Sequence, residues 1–188
     1  MDPFDVADRL VAGFKRFCVI DLEGHRRNRP QLDYLQELSR SGELWVDAGV
    51  RTGDQVIDVL VTGARRAVLS TAFLLGPREL KRAWRLSPEI LFAVEADGSA
   101  VRQRGNDWDN QPVRTAMSGA RALGVVDLVL RSGGESVDWD LARQLSGSGQ
   151  LWVGGGPEAA DQAKLASAGV AGGLFNPSRA LLTGLSGV

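Results

Sequence analysis

The chain has 188 residues, 44% hydrophobic and 24% charged, with a net charge of −1 and a single cysteine. That length suits one well-buried domain and is short for two, while the near-neutral balance, with a pI near 5.9, gives no reason to expect nucleic acid or an anionic membrane as partner. Cys18 alone excludes an internal disulfide and suits a reducing cytoplasm, and the absence of an uncharged apolar window of about 20 residues or of a basic-then-apolar leader predicts neither membrane span nor signal peptide.

Asp2 to Lys15 has Val6, Leu10, Val11 and Phe14 at helical spacing. Phe17–Gly24 (FCVIDLEG) reads as a strand, in which alternation puts Val19, Asp21 and Glu23 on one face and Cys18, Ile20 and Leu22 on the other. A basic loop, His25 to Arg29, precedes a helix over 31–39 that Pro30 opens. Glu43–Asp47 is a short apolar run bounded by glycine, a strand signal. Thr52-x-x-Gln55 has capping-box spacing and predicts a helix from Gly53 that Gly63 ends. A strand over 66–70, a helix over 78–85 opened by Pro77, and the strand Glu89–Glu95 follow. Ala96–Asn110 is the longest loop. Beyond it come a helix over 112–123, a strand over 125–130, a helix around 139–145, a strand over 150–154, a helix with Pro157 at its first position and Gly169 at its end, and a strand over 171–175.

The stretch from Glu43 to Gly76 recurs from Gln150 to Gly184, a period of about 107 residues. Trp45, Val46, Gly49 and Asp54-Gln55 match Trp152, Val153, Gly156 and Asp161-Gln162. Each copy reads as strand, glycine turn, helix and short strand, and tandem βα units at this spacing suggest a (β/α) barrel. An ordinary eight-fold barrel needs roughly 200 to 250 residues, and only seven strands can be counted. Aligning the halves, 1–86 against 87–188, shows where the eighth falls: Pro3 lines up with Pro112, and the second half has a strand before that helix where the first half has none. The expectation is a single TIM-type domain of two half-barrel repeats with the first strand absent from this chain, its open edges inviting a homodimer that covers the gap.

In order along the chain, DPFDVADRL, CVIDLEG, LWVDAGVR, AVLSTAFL, FAVEADG and LWVGGG resemble the motifs of the HisA/HisF group of histidine-biosynthesis barrels, duplicated half-barrels that bind phosphorylated sugars. The resemblance is closer to the poorly characterised HisA-related branch, and it spans nearly the whole chain. It implies an Amadori-type isomerisation of a sugar phosphate. The family's first strand carries one catalytic aspartate, which this chain lacks. Its fifth carries the other, where this chain has Glu95, whose longer arm moves the acid by about a bond length, enough to cost ~10²-fold in rate. Other readings are an enzyme of one-carbon cofactor (methanopterin-type) biosynthesis, and a non-catalytic binding or subunit protein that has lost the activity.

Glycine turns that follow strands and open onto helix N-termini leave backbone N–H groups free for an anion. Gly154, Gly155 and Gly156 with Ser178 and Arg179 form the expected phosphate site; Gly49 with Ser70 and Thr71 would be its twofold counterpart, although Asp47 opposes an anion there. The alternative is that these glycines only permit tight turns. Asp21, Glu23, Asp47 and Glu95 are expected at the C-terminal mouth, with Glu95 and Asp21 as acid–base residues. The cluster also reads as a solvated rim balanced by Arg51 or Arg131, or as an oxygen-rich divalent-cation site. His25, the only histidine, excludes histidine-ligand metal sites and serine triads and reads as a loop residue. Trp45 and Trp152 read as core filler, Cys18 as an inert core thiol, and no cofactor is expected.

Overall fold

The structure is a computed structural model that describes residues 2–133, 136–147, 149–155 and 161–175. Its elements run α1 (Pro3–Val11), β1 (Arg16–Ile20), α2 (Leu22–Arg27), α3 (Leu32–Leu38), β2 (Glu43–Asp47), α4 (Gln55–Leu60), β3 (Arg66–Ser70) and α5 (Pro77–Leu86). The second half continues with β4 (Ile90–Asp97), β5 (Ala100–Val101), α6 (Val113–Ala122), β6 (Asp127–Ser132), α7 (Trp139–Leu145), β7 (Gln150–Gly154), α8 (Gln162–Ser167) and β8 (Gly172–Leu174). Seven strands pair in parallel in the order β1-β2-β3-β4-β6-β7-β8, with β5 as an antiparallel hairpin partner of β4. This is the TIM-type barrel of seven strands that the repeat predicts.

Local chemistry explains most boundaries. Asp2 accepts from the N–H of Phe4 at 2.9 Å and Pro3 occupies the first turn of α1. Half of the expected capping box forms: the Gln55 side-chain oxygen accepts from the N–H groups of Arg51 (2.8 Å) and Thr52 (3.2 Å). The helix itself begins at Gln55, two residues beyond the expected start. Gly63 and Gly169 follow their helices at φ +89° and +66°, in the left-handed region where a side chain is strained.

The strand expected over Phe17–Gly24 divides. β1 stops at Ile20, which pairs with Asp47, the last residue of β2, so the ladder has no further partner. Asp21 then caps α2, accepting from the N–H of Gly24 at 2.9 Å. Asp and Gly at this spacing favour a helix start over continued strand. The long loop over 96–110 is also more ordered than its composition suggests. Gly98-Ser99 turns β4 back into β5, the Asp109 carboxylate accepts from the N–H groups of Arg104 and Gly105, and Trp108 returns to pack on Phe92 with ring centroids 5.1 Å apart.

Two apolar layers result. Between sheet and helices lie Leu44, Val46, Leu69, Phe92, Leu128, Leu130 and Leu151 with the inward faces of the helices. Inside the barrel, Trp45, Val68, Leu91, Ala93 and Val129 are buried, with Cys18, Trp152 and Leu174 against them. Trp45 and Trp152, equivalent positions of the repeat, meet edge to face at 5.0 Å, and the Arg16 guanidinium sits 5.6 Å from each ring. The barrel floor carries ion pairs between Arg16 and Glu43, Arg66 and Glu89, and Arg66 and Asp127. Among the described residues no pairing joins β1 to β8. A cavity of about 140 Å³ follows that seam, lined by Phe14, Cys18, Leu174 and Phe175 among others, with Phe14 edge-on to Phe175 at 5.5 Å. Desolvation pushes the Cys18 thiol up to about 12, opposed by the Arg131 charge and helped by Asp47, which leaves it inert as a nucleophile.

Phe92 is fully buried at the centre of the outer layer. Phe92→Ala should destabilise the chain by about 3–5 kcal/mol in urea or guanidinium titration, the range for deleting a well-packed core aromatic. A loss below ~1 kcal/mol would mean that Phe92 and Trp108 do not pack as described.

Candidate functional site

Strand parity decides which side chains reach the mouth. Cys18, Trp45 and Val129 point into the barrel, so two residues further along each strand stand Ile20, Asp47 and Arg131 at its C-terminal end. Ser70 and Glu95 occupy the same positions of β3 and β4, beyond Val68 and Ala93. The polar part of this layer is a connected network. Arg131 Nη1 donates to Asp47 Oδ2 at 2.5 Å and to Glu95 Oε1 at 3.2 Å. Ser70 Oγ donates to Glu95 Oε1 at 3.2 Å. His25 Nε2 lies 2.9 Å from Asp47 Oδ1, and the imidazole rests on Phe73 with centroids 4.2 Å apart.

Asp47 is completely inaccessible to solvent. Burial by itself pushes its carboxyl up, but the hydrogen bond from His25 and the charge and hydrogen bond of Arg131 outweigh that and hold it below the usual carboxylate range. Arg131 is held in its charged form by the same pair: burial works against the cation, while Asp47 and Glu95 raise its pKa above the ordinary value. The anion of Asp47 accepts, so the facing nitrogen of His25 is its proton-bearing one.

Glycines fit the network around its charged atoms. Gly154 stands opposite Arg131 in the ladder, where a Cβ would come within 3.3 Å of Arg131 Cγ. Gly49 has φ +69° and lies so close to α2 that a Cβ would meet the His25 Cα at 2.9 Å. The requirement for glycine at position 49 is therefore the approach of His25 as much as the turn.

The other expected site residues are placed as follows. Asp21 does not share the mouth layer. Besides capping Gly24 it accepts from the Gln31 backbone N–H at 2.7 Å and Nε2 at 2.9 Å, which closes the α2–α3 loop. Glu23 lies on α2 and pairs with Arg27 at 2.9 Å toward solvent. These two positions correct the expected four-carboxylate mouth: the strand ends at Ile20, and alternation no longer applies beyond it. At the first-copy turn, Gly49 N–H donates to Asp47 at 3.4 Å, Ala72 N–H to Ser70 Oγ at 3.1 Å, and Thr71 N–H to the Ala93 carbonyl. Thr71 Oγ1 accepts from the Glu95 N–H at 2.9 Å, and Glu79 takes the N–H of Gly53 at 2.7 Å. At the second-copy turn Gly155 has φ +90°, with Ser132 O only 2.6 Å from where its Cβ would be. Gly156, Ser178 and Arg179 lie outside the described residues, as does Pro157. Arg131 sits at the centre of the network.

His25 is the functional candidate that sequence reasoning passed over. The one available signal was its pairing with an unusual Asp47 in a glycine turn, but nothing in the sequence places residues 25 and 47 side by side. Among the described residues, no group of three or more histidine, cysteine or acidic side chains is arranged to hold a metal ion, and no helix is long and apolar enough to cross a membrane.

Comparison with known proteins agrees with this architecture. The family model described as "Histidine biosynthesis protein" matches residues 1–116. The chain is 33% identical over 129 residues to a 1-(5-phosphoribosyl)-5-((5-phosphoribosylamino)methylideneamino) imidazole-4-carboxamide isomerase of Sorangium cellulosum, covering 65% of this chain and 53% of that protein. Isomerases of the same name from Thermomicrobium roseum and Leuconostoc mesenteroides are 38% identical over 115 residues and 27% over 111. Each alignment covers 57% of this chain, with 46% and 47% of the relative. The chain spans about half the length of the curated relatives it matches. A match over more than half of its residues, on a parallel barrel with a charged C-terminal mouth, assigns this chain to the histidine biosynthesis protein family.

Proposed function

We propose that the mouth binds a phosphorylated aminosugar and isomerises it by Amadori chemistry, with Glu95 as the general acid–base group. The observation that carries the reading is the setting of Glu95. It stands near the C-terminal end of β4, where barrel enzymes keep their reacting groups, and Arg131 and Ser70 hold its carboxylate in place. The relatives are named as isomerases of a phosphoribosylamino compound, which fits that chemistry. Protonation of the ring oxygen breaks its bond to C1 while the amine lone pair forms the C1=N iminium. Glu95 then takes the C2 proton, and the electrons of that C–H bond become C1=C2 as the iminium is neutralised. Loss of the C2 hydroxyl proton and return of a proton to C1 give the aminoketose, so the step is a pure isomerisation with no outside oxidant.

For the phosphate we favour the second-copy turn at Gly154–Gly155, next to Arg131. The first-copy turn around Gly49, Ser70 and Thr71 spends its N–H groups on Asp47, Ser70 and Ala93 and presents a buried carboxylate. Asp21, with its oxygens engaged by Gly24 and Gln31, has a structural part in this reading.

Glu95→Gln keeps the shape and the Ser70 contact but removes the acid–base function. With the relatives' phosphoribosylamino substrate, its kcat should fall by about 10²–10⁴-fold, with KM within a few-fold and the melting temperature held. Unchanged turnover in the variant would eliminate Glu95 as the proton-transfer group. A wild-type chain that binds the substrate without turning it over would support the non-catalytic reading instead.

A further inference from the structure

Amadori isomerisation needs protons delivered and removed at more than one atom, and with Asp47 buried and paired to Arg131, Glu95 alone leaves part of that work unassigned. With Asp21 engaged in the α2–α3 loop, the mouth network contains, among the described residues, one other group of a type suited to proton transfer, the imidazole of His25. The geometry points to the His25–Asp47 pair as a second proton-transfer device: Asp47 is a positioning residue, and His25 exchanges protons with a ligand through Nδ1. This inference rests on the isomerase reading for its reaction, though not for its geometry.

Four observations converge on it. Asp47 Oδ1 receives Nε2 at 2.9 Å, which commits that nitrogen to the carboxylate and leaves Nδ1 as the one for exchange, as a carboxylate does for a catalytic imidazole. The His25 side chain keeps part of its surface accessible, and Nδ1 has no hydrogen-bond partner among the described residues. The ring cannot swing freely, since Phe73 lies against it at 4.2 Å and the Gly49 turn is close behind it. Finally, Arg131 bridges Asp47 to Glu95, so His25, through Asp47, and Glu95 belong to one hydrogen-bonded network. The charged groups around His25 are Asp47 in direct contact, Arg131 and Glu95 beyond it, and Glu23, Arg26 and Arg27 on its own helix.

His25 is the only histidine, so its imidazole gives one resolved set of NMR signals. The test combines that signal with kinetics of the full chain. In His25→Gln, kcat for the phosphoribosylamino substrate should fall by about 10²-fold with KM nearly unchanged. The kcat–pH profile should lose one limb, and added imidazole should partly restore turnover to His25→Gly. Asp47→Asn should lower kcat as well while leaving that limb in place but shifted. Full activity with an unaltered pH profile in His25→Gln would overturn the proposal. If the variants fail to fold, or the wild type shows no turnover, the wild-type NMR signal decides. Titration with ribose 5-phosphate should move the His25 Cε1–H resonance and change its pH midpoint, and a resonance that does not respond would overturn it. A response without turnover would keep the site and reject the isomerase reading.

Discussion

The mouth of this barrel depends on one charge contact, Arg131 on Asp47 at 2.5 Å. Placing a carboxylate where no solvent reaches it is costly, and such a group is tolerated only when its oxygens are paired and hydrogen-bonded. Arg131 supplies the opposite charge from β6, and His25 supplies a donor from α2. The contact therefore reaches across the barrel interior, from strand β2 to a strand that is not its neighbour, and draws in Glu95 from β4. A mouth held in this way has its charged side chains in place before any ligand arrives, and in the proposed reaction such placement would be a large part of catalytic rate.

The interior is stratified accordingly. Ion pairs close the floor, two tryptophans and aliphatic side chains fill the middle, and the Arg131 network forms the top. The apolar layer separates the two charged layers, and the charges of Arg131 and Asp47 are felt as far down as Cys18. The seam between β1 and β8 is the exception, where Cys18 and Leu174 line a cavity rather than a strand ladder.

Much of this was legible in the residues. The repeat of Glu43–Gly76 at Gln150–Gly184 identified a duplicated βα architecture, and seven strands were countable because β-branched runs alternate with glycine and proline boundaries. Trp45 and Trp152 were readable as a matched interior pair for the same reason. What failed was parity past a strand end. Asp21 and Glu23 follow the alternation of CVIDLEG only if the strand continues, and capping of α2 by Asp21 ends it at Ile20. His25 was hidden for a different cause: its partner is 22 residues away, and only the close approach of α2 to the Gly49 turn brings them together. Trp108 and the β5 hairpin were obscured by a polar loop composition that does not report side-chain hydrogen bonds such as those of Asp109.

The central claim is that Asp47 is an ionised, paired carboxylate, and the pH dependence of stability measures this directly. Its folded pKa lies below the unfolded value, so the stability it contributes is present above the unfolded value and is lost as pH falls through the folded one. Urea titrations of the wild type and Asp47→Asn, from about pH 7 down to about pH 3, should show a gap of about 3–5 kcal/mol near neutrality, the cost of breaking a buried pair. That gap should narrow once the pH drops below about 4, the ordinary carboxylate range. A gap that stays constant over the whole range, or that never exceeds ~1 kcal/mol, would contradict the account.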